Sequence, residues 1–312
     1  MAKLTRFVYP VFEVRSIEKW REFAAQMYGL PIQAAGDHYE MVIDESGCRV
    51  IFQEGKADDL VAIGWEADDP EALFTRLSEA GHDPVWSSDQ DTAARQATHM
   101  FVVKDPDGLP VEVFAGSSSH CDFVPSSHDL KFNTGELGVG HVTLMAKNFD
   151  QVEDFYREMM GFRVSDYIDW EVVKGYKLHI AFFHANARHH SMAVGRMPVF
   201  PKRIHHFMLE VSDRHQVGVS FDRIRNAKIK VKNEIGVHPN DHSFTFYVQN
   251  PSGFESELGA EALQVDANDP DRPVGQFHDL SIWGHKMSYL DALPLKAIGT
   301  ALKWKDRKAE SL

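Results

Sequence analysis

Two periods of apolar residues alternate along the chain, and the same alternation returns four times. Phe7-Val8-Tyr9-Pro10-Val11-Phe12-Glu13-Val14 reads as a strand. An amphipathic helix follows over about Ile17 to Met27, with Ser16 as its N-cap and a stop at Tyr28-Gly29-Leu30. Val139-Gly140-His141-Val142-Thr143-Leu144-Met145-Ala146 opens the second half in the same way. Its helix runs from about Phe149 to Met160 and stops at Gly161-Phe162. Later in each half, Ala62-Ile63-Gly64-Trp65-Glu66 leads to a helix over Pro70 to Ala80, and Ile204-His205-His206-Phe207-Met208-Leu209-Glu210 leads to one over about Arg214 to Asn226. Each half then closes on a Pro and Gly turn between two strands, Asp105-Pro106-Asp107-Gly108 and Asn250-Pro251-Ser252-Gly253, with Glu112 and Glu257 on the strand that follows.

This is an α+β chain built from a repeated unit of one strand, one helix and several more strands. A single unit cannot bury its sheet face alone, so the units are expected to pair, each pair curling around a shared cavity. The polar, turn-rich stretch from Gly116-Ser117-Ser118-Ser119-His120 to Asn133-Thr134-Gly135 marks the boundary. We therefore expect an N-terminal domain over residues 1–118, a C-terminal domain over 136–265, and an irregular tail over 266–312 that wraps the surface or covers a pocket mouth.

Composition narrows the function classes. At 43% hydrophobic and 25% charged residues, the chain resembles a soluble globular protein. Its net charge of −13 argues against nucleic acid as a partner, which would require clustered cations; the basic run Lys303, Lys305, Arg307 and Lys308 is short and reads as a solvated tail. No apolar stretch approaches the length of a membrane span, and Met1-Ala2-Lys3-Leu4-Thr5-Arg6 leads straight into a strand. Two cysteines, Cys48 and Cys121, are too few for a disulfide framework, so a reducing, cytoplasmic setting is expected.

The chemistry lies in the histidines, of which there are 17. When the halves are superposed by their repeat, His141 falls on Tyr9, His206 on Ala62 and Glu257 on Glu112. The C-terminal half thus carries two imidazoles and a carboxylate on three separate strands, and the N-terminal half has neither imidazole. A lone strand histidine is more often a packing or surface residue, but packing does not predict all three at repeat-related positions. Two His and one carboxylate on one face leave the other positions of a six-coordinate iron open, two for a catechol and one for dioxygen. Strand alternation turns His205 and His206 to opposite faces, so one of them ligates, and the repeat does not decide which.

At this point several segments resemble the type I extradiol ring-cleavage dioxygenases of the vicinal oxygen chelate superfamily, the group of the 2,3-dihydroxybiphenyl 1,2-dioxygenases. The resemblance is carried by Gly138-Val139-Gly140-His141, Asn186-Ala187-Arg188-His189-His190-Ser191 and Arg203-Ile204-His205-His206-Phe207-Met208-Leu209. His238-Pro239-Asn240-Asp241, Phe246 to Gly253 with Glu257, and the tail segment Ser281-Ile282-Trp283-Gly284-His285 add to it. It covers the C-terminal half, and the N-terminal half follows in repeat pattern. It implies four βαβββ modules in two tandem half-barrel pairs, the glyoxalase/bleomycin-resistance/dioxygenase fold, with the metal in the C-terminal pair.

The resemblance also implies roles. His141, His206 and Glu257 hold the metal, Fe(II) ahead of Mn(II), and it selects His206 over His205. His190 is the acid/base that handles the catechol proton, a task suited to a side chain that titrates near neutrality. His238 and Tyr247 hydrogen-bond the substrate oxygens, while Asn240, Asp241 and Phe183 line or support the pocket. The partners are a substituted, bicyclic or larger catechol and O2, and the ring opens beside the diol rather than between its hydroxyls. A homo-oligomer is expected. The segment from Ile168 to Gly175 reads as a short polar loop facing the substrate. The competing readings are a lyase or isomerase of the same superfamily and a metal-free binding module.

Overall fold

The computed structural model describes residues 2–117, 123–174, 176–197, 200–269, 271–286, 296–297, 299–301 and 303–304. The centre of the expected linker with Cys121, Gly175, and Lys305, Arg307 and Lys308 of the basic tail lie outside the described residues.

Four modules follow one another along the chain. The first holds β1 (Leu4–Val14), α1 (Ile17–Met27), β2 (Gln33–Ala35), β3 (His38–Val42) and β4 (Arg49–Glu54). The second holds β5 (Asp59–Ala67), α2 (Pro70–Glu79), β6 (Val85–Trp86), a short α3 (Asp89–Ala94), β7 (Ala97–Thr98), β8 (Phe101–Lys104) and β9 (Pro110–Phe114), followed by the two-residue β10 (Gly116–Ser117). The third comprises β11 (His141–Ala146), α4 (Phe149–Asp154), β12 (Arg163–Val173), β13 (Tyr176–His184) and β14 (Met192–Arg196). The fourth comprises β15 (Ile204–Val211), α5 (Arg214–Asn226), β16 (Val231–Val237), β17 (Phe244–Gln249) and β18 (Glu255–Ala260), and the tail adds β19 (Gly275–Phe277).

Each half closes into one sheet with the same order. The N-terminal sheet runs β2-β3-β4-β1-β5-β9-β8-β6, and the C-terminal sheet mirrors it as β12-β13-β14-β11-β15-β18-β17-β16, with β19 added beside β12. At each centre the opening strands of the paired modules run antiparallel: Tyr9 lies opposite Gly64 and Val11 opposite Ala62, as His141 lies opposite Met208 and Thr143 opposite His206. The register therefore matches the sequence repeat residue for residue.

The helix starts follow their caps. Ser16 accepts from the Lys19 N–H, Asp69 from Ala72 and Asp213 from Gln216, each satisfying an amide that the first turn leaves open. Helix α4 spans the expected residues but changes character: after Asp154 it continues as a π-turn over Phe155–Met159, which places Phe155 and Tyr156 in the core. The expected polar loop at 168–175 is also a misreading. Residues 163–173 form a long strand whose alternation, Ile168-Asp169-Trp170-Glu171-Val172, sends its apolar members to one face.

The two halves share their core. Phe12 packs against Phe207 and Phe254, and the Trp20 indole N–H donates to Ser252 Oγ at 2.9 Å, joining α1 to the fourth module. One continuous apolar cluster runs from Leu4 to Ala260.

The N-terminal half keeps a carboxylate but supplies its own cation. Tyr9, at the position of His141, donates its phenol to Glu112 Oε2 at 2.7 Å, and Arg95 clamps the same carboxylate at 2.9 and 3.2 Å. Gly64 makes this possible: a Cβ there would sit 2.1 Å from the tyrosine ring, and the C-terminal half has Met208 instead. Arg95 caps α3 and reaches inward to Glu112, the counterpart of Glu257. We predict that Arg95→Ala lowers stability by about 3 kcal/mol, because Glu112 is left buried without its countercharge, with only the neutral Tyr9 phenol as partner. Urea unfolding would read this as an earlier transition, with turnover unchanged; an unshifted transition would show the pair to be dispensable.

Candidate metal centre

Three strands bring the candidate ligands together. His141 opens β11, His206 lies opposite Thr143 on β15, and Glu257 lies beside Met208 on β18. His141 Nε2 and His206 Nε2 are 3.1 Å apart, and each is 3.3 Å from Glu257 Oε2. Ligand atoms about 2.1 Å from one centre and at right angles to one another are about 3 Å apart, so this triangle suits one face of an octahedron. Glu257 is 1% exposed, and its Oε2 has no properly oriented hydrogen bond although both imidazoles point at it. A buried carboxylate oxygen in that state is costly unless a cation completes it.

The protonation states suit metal binding. Burial, reinforced by the neighbouring His205 and His141 against the pull of Glu257, holds His206 well below the usual imidazole range. Burial alone would raise the Glu257 carboxyl, but His141, His238 and His206 together hold it well below its ordinary value. Neutral imidazole and ionised carboxylate are the forms that ligate.

His205 departs from strand alternation. The β11–β15 ladder slips between Thr143/His206 and Leu144/Ile204, a bulge at His205 that turns its side chain to the same cavity as His206. The two Nδ1 atoms lie 2.8 Å apart, so the pair shares a hydrogen there and His206 Nε2 is directed at Glu257. Thr143 Oγ1 is 3.0 Å from the same Nε2, a contact with no sequence signal.

The remaining candidates surround the triangle. His190 lies against His141, ring centres 4.2 Å apart, with the edge of Phe182 on its other side. His238 donates Nδ1–H to the Leu280 carbonyl at 2.6 Å, so its Nε2 meets the Tyr247 hydroxyl at 2.7 Å. Burial and the Glu257 charge push the Tyr247 phenol far above its ordinary range, which keeps it neutral. Burial opposes protonation of His238, but Glu257, Asp241 and the Leu280 carbonyl together raise it above the usual imidazole value. Asn240 and Asp241 line the same cavity, and Asp241 Oδ1 accepts from the Ser243 N–H and hydroxyl.

Phe183 is a correction. It is fully buried in the main core, on the opposite face of β13 from the cavity, and its neighbour Phe182 lines the pocket. Register on a strand decides which of two adjacent phenylalanines faces a ligand, and the sequence around Phe182 and Phe183 does not mark it.

The triangle lies in a cavity of about 420 Å³. One wall is apolar: Ile168, Trp170 and Val172 alternate along β12, and Leu178, Ile180 and Phe182 along β13. Met145, Met197 and Phe200 extend it, and the tail contributes Asp279, Leu280, Ser281 and His285. The cavity is within the usual size range for small-molecule sites and mostly apolar, with its polar groups gathered around Glu257.

Comparison with known proteins decides the family. The model for the Glyoxalase/Bleomycin resistance protein/Dioxygenase superfamily matches residues 138–258. A biphenyl-2,3-diol 1,2-dioxygenase from Metapseudomonas furukawaii is 36% identical over 285 residues, 89% of this chain and 92% of that protein. The chain belongs to the extradiol dioxygenases. An iron-dependent extradiol dioxygenase from Rhodococcus jostii (strain RHA1) is 31% identical, over 90% of this chain and 96% of its own. Among solved structures, a halotolerant catechol dioxygenase superposes with a TM-score of 0.83 at 29% identity, covering 93% of this chain and 97% of that one. This extradiol dioxygenase thus aligns over both of its halves, the N-terminal one without histidine ligands included. No helix among the described residues is long and apolar enough to cross a membrane.

Proposed function

We propose that this enzyme cleaves a bicyclic catechol beside its diol, using O2 at Fe(II) held by His141, His206 and Glu257. The observation that carries the reading is the orphaned Glu257 Oε2, 3.3 Å from each of two imidazole nitrogens, at one end of an apolar cavity. When bound, Fe(II) lowers the pKa of the diol it meets and conducts electron density between the ring and oxygen. Iron is chosen over Mn(II) because of the iron-dependent relative.

The surrounding side chains supply the rest. His190 takes the diol proton and returns it later, as a neutral base beside the ligand His141. Tyr247 and His238, hydrogen-bonded to each other, are placed to hydrogen-bond the substrate oxygens once that contact is exchanged for the substrate. Asn240 and Asp241 complete the polar end, and the apolar wall excludes water from the reacting groups. The second ring of the substrate lies along Trp170, Ile180 and Phe182. The N-terminal half, with Arg95 in the cation's place, serves the C-terminal half as a packed support. A homo-oligomer in the cytoplasm belongs to this reading, and sedimentation of the pure protein tests the assembly.

The experiment is anaerobic loading with Fe(II), followed by oxygen uptake on a panel of substituted catechols. One O2 should be consumed per ring-opened product. An iron-loaded protein that consumes no O2 with any of them would overturn the proposal. We further predict that Trp170→Ala raises KM for a biphenyl-type diol about 10-fold, the loss of a partly buried aromatic contact, while a monocyclic catechol changes about 2-fold at most. Equal changes for both would remove Trp170 from the specificity wall.

A further inference from the structure

A chain of buried polar groups leads away from the site behind His190, and the reaction as described does not use it. Asp166 on β12 is 3% exposed, His189 is 1% exposed and His190 is 5% exposed. His189 Nε2 lies 2.7 Å from Asp166 Oδ2, an ion-pair contact without well-formed hydrogen-bond geometry, and neither atom has a hydrogen-bond partner elsewhere among the described residues. Two bare acceptors would repel at that distance in a low-dielectric interior, so the nitrogen carries a hydrogen and the carboxylate receives it. In the neutral ring the other nitrogen of His189, Nδ1, is then an acceptor. It lies 3.1 Å from His190 Nδ1, which must therefore be the donor. Asp241 Oδ2 lies 3.9 Å from His190 Nδ1, beyond hydrogen-bond reach, and its charge favours a hydrogen on that nitrogen. No hydrogen bond among the described residues engages His190 Nε2, which is left to the cavity.

We infer that Asp166 and His189 are positioning residues that hold His190 in one tautomer, hydrogen on Nδ1 and Nε2 bare toward the substrate. The tail completes the device. Gly275 of β19 donates its N–H to Asp166 Oδ1 at 3.1 Å, and a Cβ at that glycine would sit 2.1 Å from the same oxygen. Arg272 donates to the Ser165 carbonyl at 3.0 Å on the preceding residue. Residues 272–275 thus pin the carboxylate whose orientation sets both rings. A histidine with its outer nitrogen fixed by a buried carboxylate is a general way of orienting an imidazole base, here extended by one further imidazole.

The inference rests on His190 being the base, so its test is built to separate the two. The enzyme is loaded with Zn(II), a diamagnetic stand-in for the resident metal, and its histidines are labelled with 15N. Nitrogen NMR, with the His190 signals assigned by their disappearance in His190→Ala, should show a protonated Nδ1 and a bare Nε2. Asp166→Asn should mix the tautomers in the spectrum. In the Fe(II) enzyme it should lower kcat about 10- to 100-fold with KM and iron content within about 2-fold. His189→Leu should do the same, whereas His189→Asn, whose carbonyl can accept from His190 Nδ1, should recover most of kcat. A hydrogen found on Nε2 in the unaltered enzyme overturns the inference, and that measurement stands even if a variant does not fold. Wild-type kcat in both Asp166→Asn and His189→Leu also overturns it. Wild-type kcat in His190→Ala instead overturns the base assignment and leaves the tautomer readable by NMR.

Discussion

Glu257→Ala is expected to yield a folded protein that holds no iron and opens no ring. Glu257 is the anion of the ligand triangle, and its Oε2 is the atom on which both imidazoles converge at 3.3 Å. Without it, two neutral imidazoles face a small void and cannot balance a dication in a buried pocket. Loss of a group that merely supports a ligand already costs 10- to 100-fold in metal affinity, so loss of the ligand itself should exceed about 100-fold. Metal analysis after gel filtration reads this directly, and oxygen uptake should fall to background. His206→Ala should behave alike. Folding is the internal control: the variant retains the core from Leu4 to Ala260 and loses an orphaned carboxylate, so its circular dichroism should match that of the parent. Full iron in His206→Ala would transfer ligation to His205, which lies on the same bulge with its ring against the cavity.

The division between what was legible and what was not follows the physics of each element. Helices with a side-chain cap were readable, because a cap such as Ser16 hydrogen-bonds within three residues and carries its own signal. The superposition of His141 on Tyr9 and Glu257 on Glu112 was readable because a duplicated fold preserves register, and the two central strand pairs keep it. Single-residue register was not readable. A one-residue step separates Phe182 in the cavity from Phe183 in the core, and a bulge brings His205 around to the face of His206. Nor were long-range polar partners readable. Asp166 precedes His189 by 23 residues and Gly275 follows it by 86, and only the packed strands bring them together. Arg95 has no signal for the same reason: nothing near it in the chain announces that it will pair with Glu112.

That N-terminal pairing also clarifies what the catalytic half retains. Both halves bury a glutamate at the same register, and each must neutralise it. In one half a guanidinium and a phenol do so with fixed hydrogen bonds, which leaves no open coordination position and no chemistry. In the other, the proposed cation comes from outside the chain, and the connection between β16 and β17, where the first half carries α3 and Arg95, brings His238, Asn240 and Asp241 to the cavity. The difference between support and active site is thus the difference between an internal and an external countercharge.

His190→Ala should separate metal binding from proton handling. The ligand triangle does not include His190, so iron content should remain at the parental level. Turnover should fall by about 10²- to 10⁴-fold, the usual contribution of one positioned acid/base group. KM should change little, because the apolar wall and the metal, not His190, hold the catechol. The substitution leaves a cavity of imidazole shape beside His141 and Phe182, whose ring centres lie 4.2 and 4.9 Å from that of the lost side chain. Added imidazole can occupy that cavity and should restore part of the rate in a saturable way, whereas a base that only diffuses through solvent would act linearly. A variant that turns over at the parental rate would move the proton to the remaining pair, Tyr247 and His238, whose 2.7 Å hydrogen bond already faces Glu257. Tyr247→Phe in the same assay would then decide between them.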